Sequence, residues 1–126
     1  MTLKNNLYRI ESLPEANCPQ PAYGVRLLPE CPIYKAHFPG HPVTPGVCTV
    51  QMAVEILACH LGFPLRLTAV KNVKFLSILS PEETPQVELR ILKCTPLDTK
   101  TVKAQVTVEA QGEQKAKLSF SCEKAE

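Results

Sequence analysis

The sequence predicts an α+β fold in which a curved antiparallel sheet wraps one enclosed helix, and three observations predict it. From Val102 to Ala110 and from Ala116 to Cys122, apolar and polar side chains alternate at period two, the pattern of strands with one wet face. Between residues 46 and 62 the apolar residues recur instead at three- and four-residue spacing, as on a helix. The apolar surface of that helix runs nearly all the way round, which a helix on the outside of a small protein would not tolerate, so the strands are expected to enclose it.

Taken in chain order, Leu7 to Leu13 and Tyr23 to Leu28 are short strand candidates, and the Pro-rich stretch Pro14 to Pro21 between them suits an extended surface loop. Val47, Val50, Val54, Leu57, Ala58 and Leu61 form the main stripe of the helix. Cys48, Met52, Ala53, Ile56 and Cys59 widen it, and Gly62 with Pro64 supplies its stop. Arg66 to Leu79 carries Leu67, Ala69, Val73 and Phe75 among β-branched and aromatic neighbours, and its length fits a bent strand or one with a bulge. Val87, Leu89 and Ile91 alternate with Glu88 and Arg90, with the pattern failing at Leu92. A turn at Gln111-Gly112-Glu113 joins the two strongest strands into a hairpin, so three consecutive strands close the chain.

A length of 126 residues suits one domain, residues 1–126, with one core. A hydrophobic fraction of 44% with 21% charged residues excludes a disordered chain. The net charge of +2, without aromatics interleaved in a basic stripe, gives no support to a nucleic-acid partner. Six cysteines occur without a Cys-x-x-Cys pair, so neither a zinc ribbon nor a thioredoxin-like site is suggested, and no metal or cofactor is expected. No apolar signal region follows Lys4 and no run approaches bilayer length. The expectation is a reduced cytoplasmic protein with no membrane span and with free, mostly buried thiols.

Residues 36 to 46 stand apart. Pro39, Gly40, Pro42, Pro45 and Gly46 stiffen the backbone on both sides of His37, Phe38 and His41. The segment runs into the first turn of the helix, where free N–H groups favour an anion. A histidine there is a candidate base beside a candidate oxyanion hole.

The run His37-Phe38-Pro39-Gly40-His41-Pro42-Val43-Thr44-Pro45-Gly46-Val47 resembles the signature of the β-hydroxyacyl-acyl-carrier-protein dehydratases of the hot-dog fold, matching each named position. The later segment Asn72 to Pro81 is similar to that family's strand after the helix, and the likeness extends over roughly residues 22 to 122. The resemblance implies a hot-dog fold and the dehydration step of fatty acid biosynthesis or a related pathway. His37 would take the α-proton of the hydroxyacyl thioester, the Gly46 N–H would hold the thioester carbonyl, and the Val43 carbonyl would orient the imidazole. Phe38, Val43, Gly46, Val47 and Glu55 are expected at the substrate. The family's acidic helix residue is here Gln51, and an amide delivers no proton at neutral pH. Gln51 could still hold the substrate hydroxyl or a water, and Glu55, at i+4 on the same face, is a displaced-acid candidate.

By the same resemblance the partners are acyl carrier protein, docking near Lys71 and Lys74, and a second copy of the chain in a homodimer or higher homo-oligomer. In the family the histidine of one subunit meets the helix residue of the other. Two alternatives stay open: a non-catalytic or carrier-binding subunit paired in a heterodimer with an active homologue, and a hot-dog thioesterase. Plainer readings are kept beside these: His41 as a rim residue, His60 as a helix C-terminal residue favoured by the dipole, Gln51 and Glu55 as polar residues facing a partner subunit, and Cys48 and Cys59 as core.

Overall fold

The computed structural model describes residues 2–36 and 40–125. Its elements are β1 (Tyr8–Ser12), β2 (Ala22–Leu27), α1 (Pro32–Ala36), α2 (Gly46–Leu61), β3 (Leu65–Phe75), β4 (Gln86–Pro96), β5 (Thr101–Ala110) and β6 (Glu113–Lys124). These strands form one sheet in the order β1-β2-β4-β5-β6-β3, each neighbouring pair antiparallel.

The period-two segments bury one face, as their alternation requires. β5 buries Val102, Ala104, Val106, Val108 and Ala110, and β6 buries Ala116, Leu118, Phe120 and Cys122. Ala104 pairs with Phe120 and Val106 with Leu118. Gln111 and Gly112, at φ of 55° and 77°, make the tight turn between them, with the positive φ at both positions that suits the twist of a hairpin. β4 buries Val87, Leu89 and Ile91. Its register shifts between Ile91 and Lys93, which is why the alternation fails at Leu92, and the strand continues to Pro96 beyond the point where the pattern is visible.

Helix α2 lays Cys48, Val50, Met52, Ala53, Val54, Ile56 and Leu57 into the cluster that also holds Leu27, Leu89, Val106 and Phe120. This is the hot-dog arrangement: one central helix against a curved, antiparallel sheet. The helix ends at Gly62, whose φ of 85° lets its N–H donate back to the Ala58 carbonyl, a left-handed cap that glycine adopts without strain. Enclosure is less complete than the apolar surface suggests. Val47 is 72% exposed, Cys59 and His60 are exposed near the other end, and β3, which packs beside the helix, is an edge strand of the sheet. Cys59 is therefore not a core residue, and of the six free thiols only Cys31, Cys48 and Cys122 are buried.

β3 contains the expected bulges, with register shifts at Leu67/Ala69 and Val70/Asn72, but it stops at Phe75. Residues beyond it leave the strand while the Leu76 and Ser77 amides donate to the Lys115 carbonyl. Val70, Phe75, Leu76 and Ile78 are large apolar side chains about half exposed or more along and after this edge. The short helix α1 carries no sequence signal of its own; it places Tyr34 in the core at 2% exposure. No helix among the described residues is long and apolar enough to cross a membrane.

Candidate active site

Thr44, near the end of the motif, is held by contacts from two other parts of the chain. Gly40 takes a φ of 87°, a left-handed conformation suited to glycine. The Thr44 N–H donates to the Leu79 carbonyl at 2.7 Å, and the Thr44 Oγ1 hydrogen-bonds the Tyr34 hydroxyl at 2.9 Å with both residues buried. Burial pushes the Tyr34 phenol up to about 12, with the Thr44 bond acting the other way. Tied on two sides, Thr44 sets the path of the chain into the helix start.

Pro45 is the N-cap of α2 and offers no side-chain hydrogen bond. Its carbonyl accepts the Cys48 and Thr49 amides at 2.9 and 3.1 Å, while the Gly46 and Val47 amides take no partner among the described residues. Beside them lies a cleft of about 170 Å³ walled by Val43, Gly46, Phe75, Ile78 and Lys115. A Cβ added at Gly46 would sit 2.9 Å from Cζ of the half-exposed Phe75 ring, so a larger residue there requires the ring to move. Phe75 is thus part of the site, and its role was not evident from the strand pattern that contains it. An uncapped helix start beside an apolar cleft can hold a developing negative charge next to an acyl chain.

Gln51 lies five residues further on, about 7.5 Å along the axis and on a different side of the helix. It lines a wider groove of about 590 Å³ with Glu55, Thr2, Lys4, Leu65 and Leu67. Cleft and groove share no lining residue. The structure therefore brings Val43 and Gly46 together, and separately Gln51 and Glu55, but does not join the two pairs within one chain. Val47 projects into solvent outside both. His37 and Phe38 lie outside the described residues.

For Glu55, expected as a displaced acid or substrate contact, the structure displays a different set of ties. Its carboxylate accepts the Leu3 amide at 2.8 Å, the Lys4 amide at 2.9 Å, the Tyr8 hydroxyl at 2.9 Å and Nε2 of Gln51 at 3.0 Å. A carboxylate has about four acceptor sites, and each is engaged. Burial, then the bond to Glu55 and its charge, drives the Tyr8 phenol well above its ordinary range, so Tyr8 stays a donor. His60 is also more than a dipole partner: its Nδ1 is 3.0 Å from the Tyr23 hydroxyl. No three metal-ligating side chains come together among the described residues.

The family model described as ApeI dehydratase, of the ApeI-like proteins, matches residues 17–113. The 3-hydroxyacyl-acyl-carrier-protein dehydratase FabZ of Clostridium acetobutylicum is 32% identical over 68 residues, 48% of this chain and 48% of the relative. FabZ of Rickettsia akari is 31% identical over 98 residues, 71% of this chain and 66% of the relative. The chain thus spans about half to two thirds of these relatives' length. Among solved structures, the dehydratase heterocomplex ApeI:P from Xenorhabdus doucetiae superposes with a TM-score of 0.62 at 17% identity, over 87% of this chain and 93% of that one. A hypothetical thioesterase with coenzyme A from Streptococcus pneumoniae shares the fold, with a TM-score of 0.59 at 13% identity over 94% and 85% of the two chains.

Proposed function

The chain belongs to the ApeI-like dehydratase family, and from that premise we propose that it removes water from a 3-hydroxyacyl thioester carried on acyl carrier protein. The observation that carries this reading is the uncapped start of α2: the Gly46 amide opens beside an apolar cleft at the end of a motif that matches the dehydratase signature. In this mechanism His37, as a neutral imidazole, takes the α-proton. The electron pair moves onto the thioester oxygen, where the Gly46 N–H stabilises it; one such donor is typically worth ~3–4 kcal/mol at the transition state. The pair then returns to form the Cα–Cβ double bond as the 3-hydroxyl departs, and the imidazolium gives back its proton to complete water. Gln51 holds the hydroxyl by hydrogen bonding without supplying a proton. Val43 orients the imidazole through its carbonyl, and Phe38 and Val47 pack near the acyl chain.

Cleft and groove lie apart in one chain, so the reading requires two copies, the loop of one covering the groove of the other. The exposed apolar side chains Val47, Val70, Phe75, Leu76 and Ile78 around the β3 edge suit such a contact, since an unpaired edge with apolar neighbours is a template for association. A homodimer is the simplest assembly. Lys71 and Lys74, both exposed on β3, give an acidic carrier its docking charge.

The experiment follows enoyl-thioester hydration, the reverse reaction, with the purified protein and with His37→Ala. The variant should be slower by about 10²- to 10⁴-fold, the usual worth of a positioned base. Equal rates would remove His37 from the reaction, and release of free acid in place of an enoyl or hydroxyacyl product would replace dehydration with thioester hydrolysis.

A further inference from the structure

We propose that the outer face of the sheet, carrying Lys74, Lys93, Lys103 and Lys117, docks on the surface of an anionic lipid bilayer, with Leu97 entering the headgroup layer. This is the face turned away from α2, so docking there leaves the cleft and the groove free.

Strand register puts these side chains together in three rows. Lys93 pairs with Gln105, Thr95 with Lys103 and Arg90 with Thr107 between β4 and β5. Between β5 and β6, Gln105 pairs with Ser119, Lys103 with Ser121 and Thr107 with Lys117. On β3, Asn72 pairs with Ser119 and Lys74 with Lys117. Residues directly opposite each other share a face, and those alternating with them in β5 and β6, Ala104, Val106, Leu118 and Phe120, are buried on the other. All four lysines are exposed. No Asp or Glu stands in these rows. Glu109 and Glu123, beyond either end of them, are engaged by Arg90 and Arg66, and none of the four lysines has an ion pair among the described residues.

Two features separate this face from an ordinary solvated one. The whole chain carries a net charge of only +2, so the positive charge here is segregated, not spread. Lys74 and Lys117 are direct cross-strand partners, a like-charge pairing that destabilises a sheet and that an opposing anionic surface would relieve. The make-up of the face then selects its occupant. Protein interfaces are poor in Lys and rely on aromatic and Arg anchors, and single-stranded nucleic acid needs aromatic platforms; the three rows hold no aromatic residue, and their one arginine, Arg90, is paired. A second copy would set like charge against like charge. A headgroup layer requires only clustered point charges and an apolar side chain to insert. Lysine is such a point charge. Leu97, 58% exposed just past the end of β4, lines a depression of about 210 Å³ with Lys93, Thr95, Lys103 and Gln105.

The test is flotation of the purified protein with vesicles of phosphatidylcholine alone and of phosphatidylcholine mixed in equal parts with phosphatidylglycerol. Binding should require phosphatidylglycerol and should be lost as salt rises from about 0.1 M to about 1 M, which shortens the screening length from about 10 Å to about 3 Å. A lysine close to such a surface is worth roughly fivefold in affinity. Lys117→Gln should therefore bind roughly fivefold more weakly than the parent and Lys93→Gln/Lys103→Gln roughly 25-fold more weakly. Leu97→Ser should lose roughly tenfold. Lys4→Gln/Lys35→Gln removes the same charge as the double variant from outside this face and should bind as the parent does. Absence of binding, equal binding to neutral vesicles, undiminished binding by any variant of the face, or an equal loss in Lys4→Gln/Lys35→Gln would each overturn the proposal. So would equal affinity for a DNA duplex or for polyglutamate, the stand-in for an acidic protein, because the face would then be a general polyanion site.

Discussion

Removing either half of the Tyr34–Thr44 hydrogen bond should destabilise the protein, and removing both should be far milder than the sum. Tyr34 and Thr44 are 2% and 6% exposed, and their oxygens are 2.9 Å apart. Thr44→Val leaves a buried phenol without its partner, and Tyr34→Phe leaves a buried threonine hydroxyl. An orphaned buried polar group costs about 1–3 kcal/mol, whereas exchanging both partners for apolar groups of similar shape is near neutral. At roughly 4 °C per kcal/mol for a chain of this size, each single variant should melt about 4–12 °C lower. The double variant should recover a coupling of about 1–2 kcal/mol. Urea unfolding of the four proteins gives the cycle. Additive losses, or single variants within about 0.5 kcal/mol of wild type, would refute the view that this pair pins the loop carrying the motif into α2.

Gly46→Ala keeps the backbone amide but drives its Cβ against Phe75 at 2.9 Å. It should lower kcat/KM about tenfold or more by shifting the cleft, with Phe75→Ala in the same chain restoring part of the loss. In alkali, Tyr34 and Cys122 both resist ionisation in the folded chain, the first raised from 10.0 to about 12 and the second from 9.0 to about 11, mainly by burial. Their unfolded counterparts lose protons first, so stability is full below about pH 9 and should fall as pH rises from there to 12. Tyr34→Phe should flatten that fall in a pH series of denaturation curves.

The sheet was legible where burial on one face imposes a strict period. In β5 and β6 every apolar position of the alternation is buried, although Thr107 and Ser121 on the polar side are buried as well, and the Gln111-Gly112 turn follows from residues that tolerate positive φ. Legibility failed where geometry breaks the period. The shift after Ile91 hid the second half of β4, and the two bulges in β3 blurred its end. Five residues of α1 are too few to show a helical repeat. At the site, the helix start and Gly46 could be found from Pro, Gly and His spacing within a dozen residues. The ties of Glu55 could not, because Leu3, Lys4 and Tyr8 reach it from the other side of the fold, and nothing local marks such a contact. The same holds for Tyr34, which reaches Thr44 from a helix the pattern does not reveal.

In the proposed reaction His37 of one copy and Gln51 of another jointly remove water from a 3-hydroxyacyl thioester. This is tested most directly by unfolding, mixing and refolding His37→Ala with Gln51→Leu and assaying the mixture. The mixed dimer holds one intact composite site, so activity should rise above the sum of the two variants refolded alone. A mixture that associates yet is no more active than that sum would contradict the account, since it would place both residues of each working site in a single chain or leave one of them outside the chemistry.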